Sequence, residues 1–253
     1  MSGFRRTVTV GLKADTTYVK NMITVRPAGK RLHTRIGWLD SRHTFTFGEH
    51  IDPRNMGFRS LRAINEERVA PGHGFGTRTH RDMEILSYVV AGTLRHQDSL
   101  GAGSIVKPGD FQRISAGTGV LHSECNASDR EPLHVLQIWV TPQQPRLPPS
   151  YQRRAFPASE RHDRLALIAS HDGRDGSLTI HQDVAIYSAL LGPRRKIAHS
   201  LAEGRHAWVH VIRGAGQLNG LELRCGDGAA VSDESVIEWR AMTDSETLFF
   251  DVV

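Results

Sequence analysis

Residues 85–124 read ILSYVVAGTLRHQDSLGAGSIVKPGDFQRISAGTGVLHSE, and their punctuation decides the fold. Four short β-rich runs lie in this stretch: Ile85–Val90, Thr93–Gln97, Phe111–Ile114 and Val120–Glu124. Gly92, Gly101-Ala-Gly103, Pro108-Gly-Asp110 and Ala116-Gly-Thr-Gly119 separate them. Many short strands at this spacing, with no helical periodicity, predict a β-sandwich or barrel. Tyr88 to Arg95 reads as a tight hairpin with Gly92 in its turn.

Outward from this stretch the pattern continues on both sides, with His43–Phe47 before it and Val135–Val140 after it. Between Pro142 and Asp163 the composition changes. Five of the eleven prolines fall there, beside Arg153-Arg154, which reads as a linker. The β-rich runs then resume from Leu165 to Val253, and Val211-Ile-Arg-Gly214 repeats the hairpin-like ending of Val89-Val-Ala-Gly92. Two tandem barrels are therefore expected, one over 22–145 and one over 160–253, joined by a Pro-rich linker at 146–159.

The chain has 253 residues, 39% hydrophobic and 23% charged, which suits two domains with real cores. No apolar run exceeds strand length, so no membrane span is expected. The net charge of +5 comes from basic residues scattered among acids, without an aromatic-lined basic stripe, and direct nucleic-acid binding is not expected. Cys125 and Cys225 are too few and too far apart for a disulfide framework or a zinc pattern. The N-terminus lacks the apolar core of a secretion signal. These features point to a cytoplasmic protein with reduced thiols.

Two places put metal-ligand residue types two apart: His80-Arg-Asp82-Met-Glu84 and His122-Ser-Glu124. On a strand such residues share a face, so His122 and Glu124 project together while Ser123 and Cys125 point away. His80, Asp82 and Glu84 share a face if the strand is regular there. Two imidazoles and a carboxylate with open positions form the ligand set of a non-haem iron(II) centre. His96 and His134 fall on expected strands and read as packed or hydrogen-bonded sheet residues. His73 reads as a loop residue. His206 and His210 have no carboxylate beside them and read as structural.

The spacing Gly72, Arg78-Thr-His80, Glu84, Gly92, followed by Gly109, Gly117, His122 and Asn126, resembles the two motifs of the cupins. The likeness is closer to one branch. Trp38-Leu-Asp-Ser-Arg-His-Thr-Phe-Thr-Phe47, His80-Arg-Asp-Met-Glu84, His96-Gln-Asp-Ser99, Ser115-Ala-Gly-Thr-Gly119, His122-Ser-Glu124 and Gln137-Ile-Trp139 are similar to the pirin family, in particular its bacterial quercetinase members. The resemblance runs from about Met22 to the C-terminus and leaves residues 1–21 as an N-terminal extension.

The resemblance implies an all-β bicupin with its one ligand set in the first barrel. It implies a divalent metal of the iron(II) type held by His80, His122 and Glu124, and a flavonol-type aromatic substrate. Glu84 or Glu124 would take the substrate's hydroxyl proton. Metal-binding members carry His-Pro-His where this chain has Arg78-Thr79-His80. Two outcomes follow from that replacement: Arg78 turns outward and leaves a three-ligand site, or its guanidinium fills the metal's place and pairs with Glu124. The second outcome favours a metal-free binding or regulatory protein that docks a protein partner.

Overall fold

The structure is a computed structural model that describes residues 22–48 and 51–253; the expected extension at 1–21 lies outside the described residues. The strands form two seven-stranded and two four-stranded sheets. In the first barrel the large sheet takes Ser150–Ala155, Asp110–Ser115, Glu84–Ala91, Leu133–Val140, Leu61–Val69, Leu39–His43 and Leu32–Ile36 in that spatial order. The small sheet takes Gly74–His80, Val120–Asn126, Leu94–Asp98 and Gly103–Val106. The second barrel repeats the pairing of a seven-stranded with a four-stranded sheet. These are the tandem β-barrels expected from the turns, in the all-β bicupin form that the resemblance implied.

Period-two alternation explains where each strand buries its side chains. In Glu84–Ala91, Ile85 and Val89 pack inside the first barrel. Leu86, Tyr88 and Val90 face the other way, into a core shared with Trp208, Ile186 and Phe250 of the second barrel. Both faces are buried, so the sequence reads as an almost unbroken apolar run. Each such Leu, Val or Phe contributes about 1.5–3 kcal/mol by leaving water, which welds the two large sheets face to face.

The two interiors differ. The second is filled by Val209, Val211, Leu218, Leu223, Trp239 and Phe249. The first has apolar side chains towards its two ends, while the positions between them, such as Ser87 and Gln137, are polar and buried. Among the described residues, the cluster of buried metal-ligand side chains lies in the first barrel.

Three local expectations change. Glu84–Ala91 and Leu94–Asp98 do not pair as a hairpin; they belong to different sheets. Gly92 turns the chain from one sheet to the other at φ 79°, and a Cβ there would lie 2.4 Å from the Pro132 carbonyl oxygen. Within the expected linker, Ser150–Ala155 is a strand paired with Asp110–Ser115, because its backbone completes an otherwise open edge. At the start of the first unit, Met22–Arg26 pairs with Gly228–Ser232 of the second barrel, so each half lends or receives a strand. No helix among the described residues is long and apolar enough to cross a membrane.

Candidate metal centre

The centre is built on Val120–Asn126, whose alternating burial turns Val120, His122, Glu124 and Asn126 inward. This strand lies between two partners. On one side His122 stands opposite Arg78 and Val120 opposite His80; on the other His122 stands opposite Asp98 and Glu124 opposite His96. A bulge between His122 and Glu124 shifts the register on the Arg78 side. Such bulges re-aim side chains beside sites.

Glu124 is held at both oxygens. Ser87 Oγ and Gln112 Nε2 donate to Oε1 at 2.9 and 2.6 Å. Arg78 Nη2 donates to Oε2 at 3.0 Å, and Gln137 Nε2 donates to the same oxygen. Tyr151 Oη in turn donates to Gln112 Oε1 at 3.0 Å. The Arg78 guanidinium also lies 4.4 Å over the Phe75 ring, so it is fixed by a carboxylate and an aromatic face together.

The imidazoles are less satisfied. Neither ring nitrogen of His122 has a hydrogen-bond partner, nor have His80 Nε2 and His96 Nδ1, all of them buried atoms. The His80 and His122 ring centroids are 4.8 Å apart, and His96 lies 5.7 Å from His122. His96 Nε2 is 2.9 Å from Asp98 Oδ2, and Tyr151 stacks on the ring at 4.7 Å. Trp139 meets His80 edge-on at 5.0 Å. Ligand atoms of His96, His122 and Glu124 all lie within 4.8 Å of one another.

Burial, then the neighbouring His122 and Arg78, pushes His80 down to about 4. Burial, then Arg78 and His96, pushes His122 down to about 3. Both rings are thus neutral at pH 7, the form that binds metals. Burial and the Glu124 charge push the Glu67 carboxyl up to about 8, so it keeps its proton at neutral pH.

Of the residues singled out in the sequence, His80, His122 and Glu124 converge on one chamber, and Arg78 takes the inward alternative, paired with Glu124. Glu84 is elsewhere. It sits on the outer face of its strand, where Ser115 Oγ donates to Oε2 at 2.9 Å and His181 Nδ1 of the second barrel lies 3.2 Å from Oε1. The strand bearing His80 ends there, and Asp82 adopts φ 47° before a new strand begins at Glu84, so the assumed shared face does not exist. His73 lies against the Pro71 carbonyl oxygen and the Trp38 ring. His134 Nε2 lies 3.0 Å from Glu66. His206 contacts Arg59 and Ser232, while His210 is buried, both on the strand His206–Arg213 of the second barrel. Sequence reasoning read His96 as a packed or hydrogen-bonded sheet residue and gave no role to Ser87, Gln112, Gln137 or Glu67. For His96 a signal existed: the spacing His96-x-Asp98 is that of an imidazole with an orienting carboxylate.

The donor chemistry fits a divalent cation. Buried imidazole nitrogens without partners are rare unless something else binds them. The opposing feature is Arg78, which brings a fixed cation to the Glu124 carboxylate.

Comparison with known proteins agrees with this architecture. Residues 25–140 match the family described as Pirin, and residues 167–252 match the quercetinase C-terminal cupin domain. A protein of Escherichia coli named quercetin 2,3-dioxygenase is 45% identical over 231 residues, covering 91% of this chain and 99% of its own. One of Pasteurella multocida, named a putative quercetin 2,3-dioxygenase, is 36% identical over 236 residues, covering 92% of this chain and all of its own. The crystal structure of the bacterial pirin YhhW from Escherichia coli in complex with nickel(II) superposes with a TM-score of 0.87 at 44% identity, covering 91% of this chain and 99% of that one.

Proposed function

The chain belongs to the pirin family, and from that premise we propose that its first barrel is a metal-dependent oxygenase centre of the quercetin 2,3-dioxygenase type. The proposed metal is divalent, iron(II) in its physiological form, and the proposed substrate is a flavonol or a similar hydroxylated aromatic. His80, His122 and Glu124 are the ligands that the motifs nominate. The observation that carries the reading is the set of buried, unpartnered imidazole nitrogens on His80 and His122 beside Glu124. The equivalent space in the second barrel is filled with apolar side chains.

A divalent ion in this chamber supplies Lewis-acid polarisation of a ligated substrate oxygen. The chain supplies the rest. Burial keeps His80 and His122 neutral, so their lone pairs are available at pH 7. Ser87 and Gln112 hold one Glu124 oxygen and Arg78 and Gln137 the other, so the carboxylate would act as ligand, or accept the substrate's hydroxyl proton, on release of one of these donors. Trp139, edge-on to His80, and Tyr151, stacked on His96, give the imidazoles aromatic surroundings. Glu84 has no part in this reading, since it faces the second barrel.

One observation favours a second reading, a metal-free binding or regulatory bicupin: the Arg78–Glu124 ion pair at 3.0 Å. Elemental analysis of untagged protein after iron or manganese supplementation, followed by oxygen uptake with quercetin, decides between them. Near one metal per chain with quercetin-dependent uptake supports the oxygenase. Metal well below one per chain leaves the metal-free reading in its place.

A further inference from the structure

Arg78 and His96 lie on the two strands that flank Val120–Asn126; in the register Arg78 stands opposite His122, and His96 opposite Glu124. Arg78 gives its guanidinium to Oε2. On the other side, His96 is fully buried, with Nε2 against Asp98 and Nδ1 without a partner. We propose that His96 supplies the imidazole that Arg78 does not, so that the metal is held by His96, His122 and Glu124, displaced towards the Leu94–Asp98 strand, with His80 outside the primary set. The inference rests on the metal-centre reading given above.

Four observations support it. The ligand atoms of these three residues lie within 4.8 Å of one another, all three side chains are buried, and His80 is not part of that set. A histidine whose far nitrogen bonds a carboxylate has its tautomer and ring plane fixed for ligation, and Asp98 performs this for His96. Tyr151 stacking on the ring limits its rotation. Because Val120–Asn126 separates the strand of Arg78 from that of His96, an ion nearer His96 would also lie farther from the Arg78 guanidinium, and repulsion falls with that separation. Arg78 then positions the carboxylate from the opposite strand, and the repulsion that remains is what replacing it by histidine removes.

The test is cobalt(II) titration of metal-free full-length protein, read by calorimetry and by the visible ligand-field spectrum, on wild type, His96→Asn, His80→Asn and Asp98→Asn. One cobalt per wild-type chain is expected. His96→Asn should lose more than ~100-fold in affinity and change the spectrum, since a first ligand outweighs the 10–100-fold of an outer partner. His80→Asn should stay below about 10-fold. Asp98→Asn leaves the imidazole in place and should lose about 10–100-fold. That arm keeps the test open if His96→Asn fails to fold. A large loss in His80→Asn with little in Asp98→Asn or a folded His96→Asn overturns the displaced set and leaves the metal-dependent reading standing. A folded wild type that binds no cobalt overturns both.

Discussion

Arg78 Nη2 and Glu124 Oε2 meet at 3.0 Å across two adjacent strands, inside the chamber where three histidines leave ring nitrogens unpaired. The pair decides how readily a divalent ion enters. Arg78→His removes the fixed cation, adds an imidazole opposite His122, and leaves Glu124 three of its four donors. Each change favours metal binding, through an added ligand and through lost Coulomb repulsion in a partly desolvated space. The expected result is tighter cobalt(II) or iron(II) binding than wild type by calorimetry, with equal or greater oxygen uptake on quercetin. Equal affinities in the two proteins would show that Arg78 and the ion do not compete.

Glu67 makes the chamber sensitive to pH. Its carboxyl has an ordinary value of 4.5 and is pushed up to about 8 in the fold, by burial and then by Glu124. A raised carboxyl pKa means that the folded chain retains a proton the unfolded chain has lost. Stability therefore falls as pH rises from about 4.5 to about 8, then levels off. Glu67→Gln keeps the shape and removes the titration. With chelator present, its Tm should match wild type near pH 4.5 and exceed it by several degrees above pH 8. Parallel Tm profiles for the two proteins across that window would rule out a buried protonated Glu67.

The fold was legible because its signals are local. Glycine turns at Gly92 and Gly117 and period-two runs such as Ile85–Val90 announce many short strands. What these signals lack is pairing. Gly92 reads as a hairpin turn, yet whether the chain folds back or crosses to the other sheet depends on distant strands, since Ala91 pairs with His134 while Leu94 pairs with Val106 and Asn126. Ser150–Ala155 reads as linker because prolines precede it and its exposed side chains are polar. Only the open edge of Asp110–Ser115 makes it a strand. The site behaves the same way. His122 and Glu124 were visible through their spacing on a single strand. Ser87, Gln112 and Gln137 come from three other strands, and no spacing rule connects them to Glu124.

Glu84 tests how far motif spacing can be trusted over strand parity. It is fully buried on the face opposite Ser87, bonded by Ser115 and beside His181 of the second barrel. Glu84→Gln should leave metal stoichiometry and affinity unchanged. Glu84→Ala should lower Tm by several degrees, because Ser115 and His181 lose a buried acceptor, a loss of about 1–3 kcal/mol. Metal loss in a folded Glu84→Gln protein would return the residue to the centre.

A buried polar cluster at the contact between the barrels lies farther along the same strand, where Tyr88 of the first barrel reaches Arg161 and Glu246 of the second. Tyr88 Oη donates to Glu246, and Arg161 Nη1 donates to Glu246 Oε1 at 3.0 Å and to Ser188 Oγ at 3.2 Å, with Arg161 and Glu246 each about 95% buried. Removing Glu246 strands the buried Arg161 charge, whereas removing Arg161 leaves Glu246 with Tyr88 and with Arg213 Nε at 3.5 Å. Glu246→Ala should destabilise by about 3–5 kcal/mol and Arg161→Ala by less, each read as a lower urea midpoint. The pair itself is a weaker source of stability than those losses imply, since desolvating both ions offsets most of their attraction. Arg161→Met combined with Glu246→Leu should therefore be more stable than either single alanine variant, although Tyr88 then loses its acceptor. A double variant whose loss equals the sum of the single losses would mean that the two charges act independently, and the joint would then be two separate anchors that happen to touch.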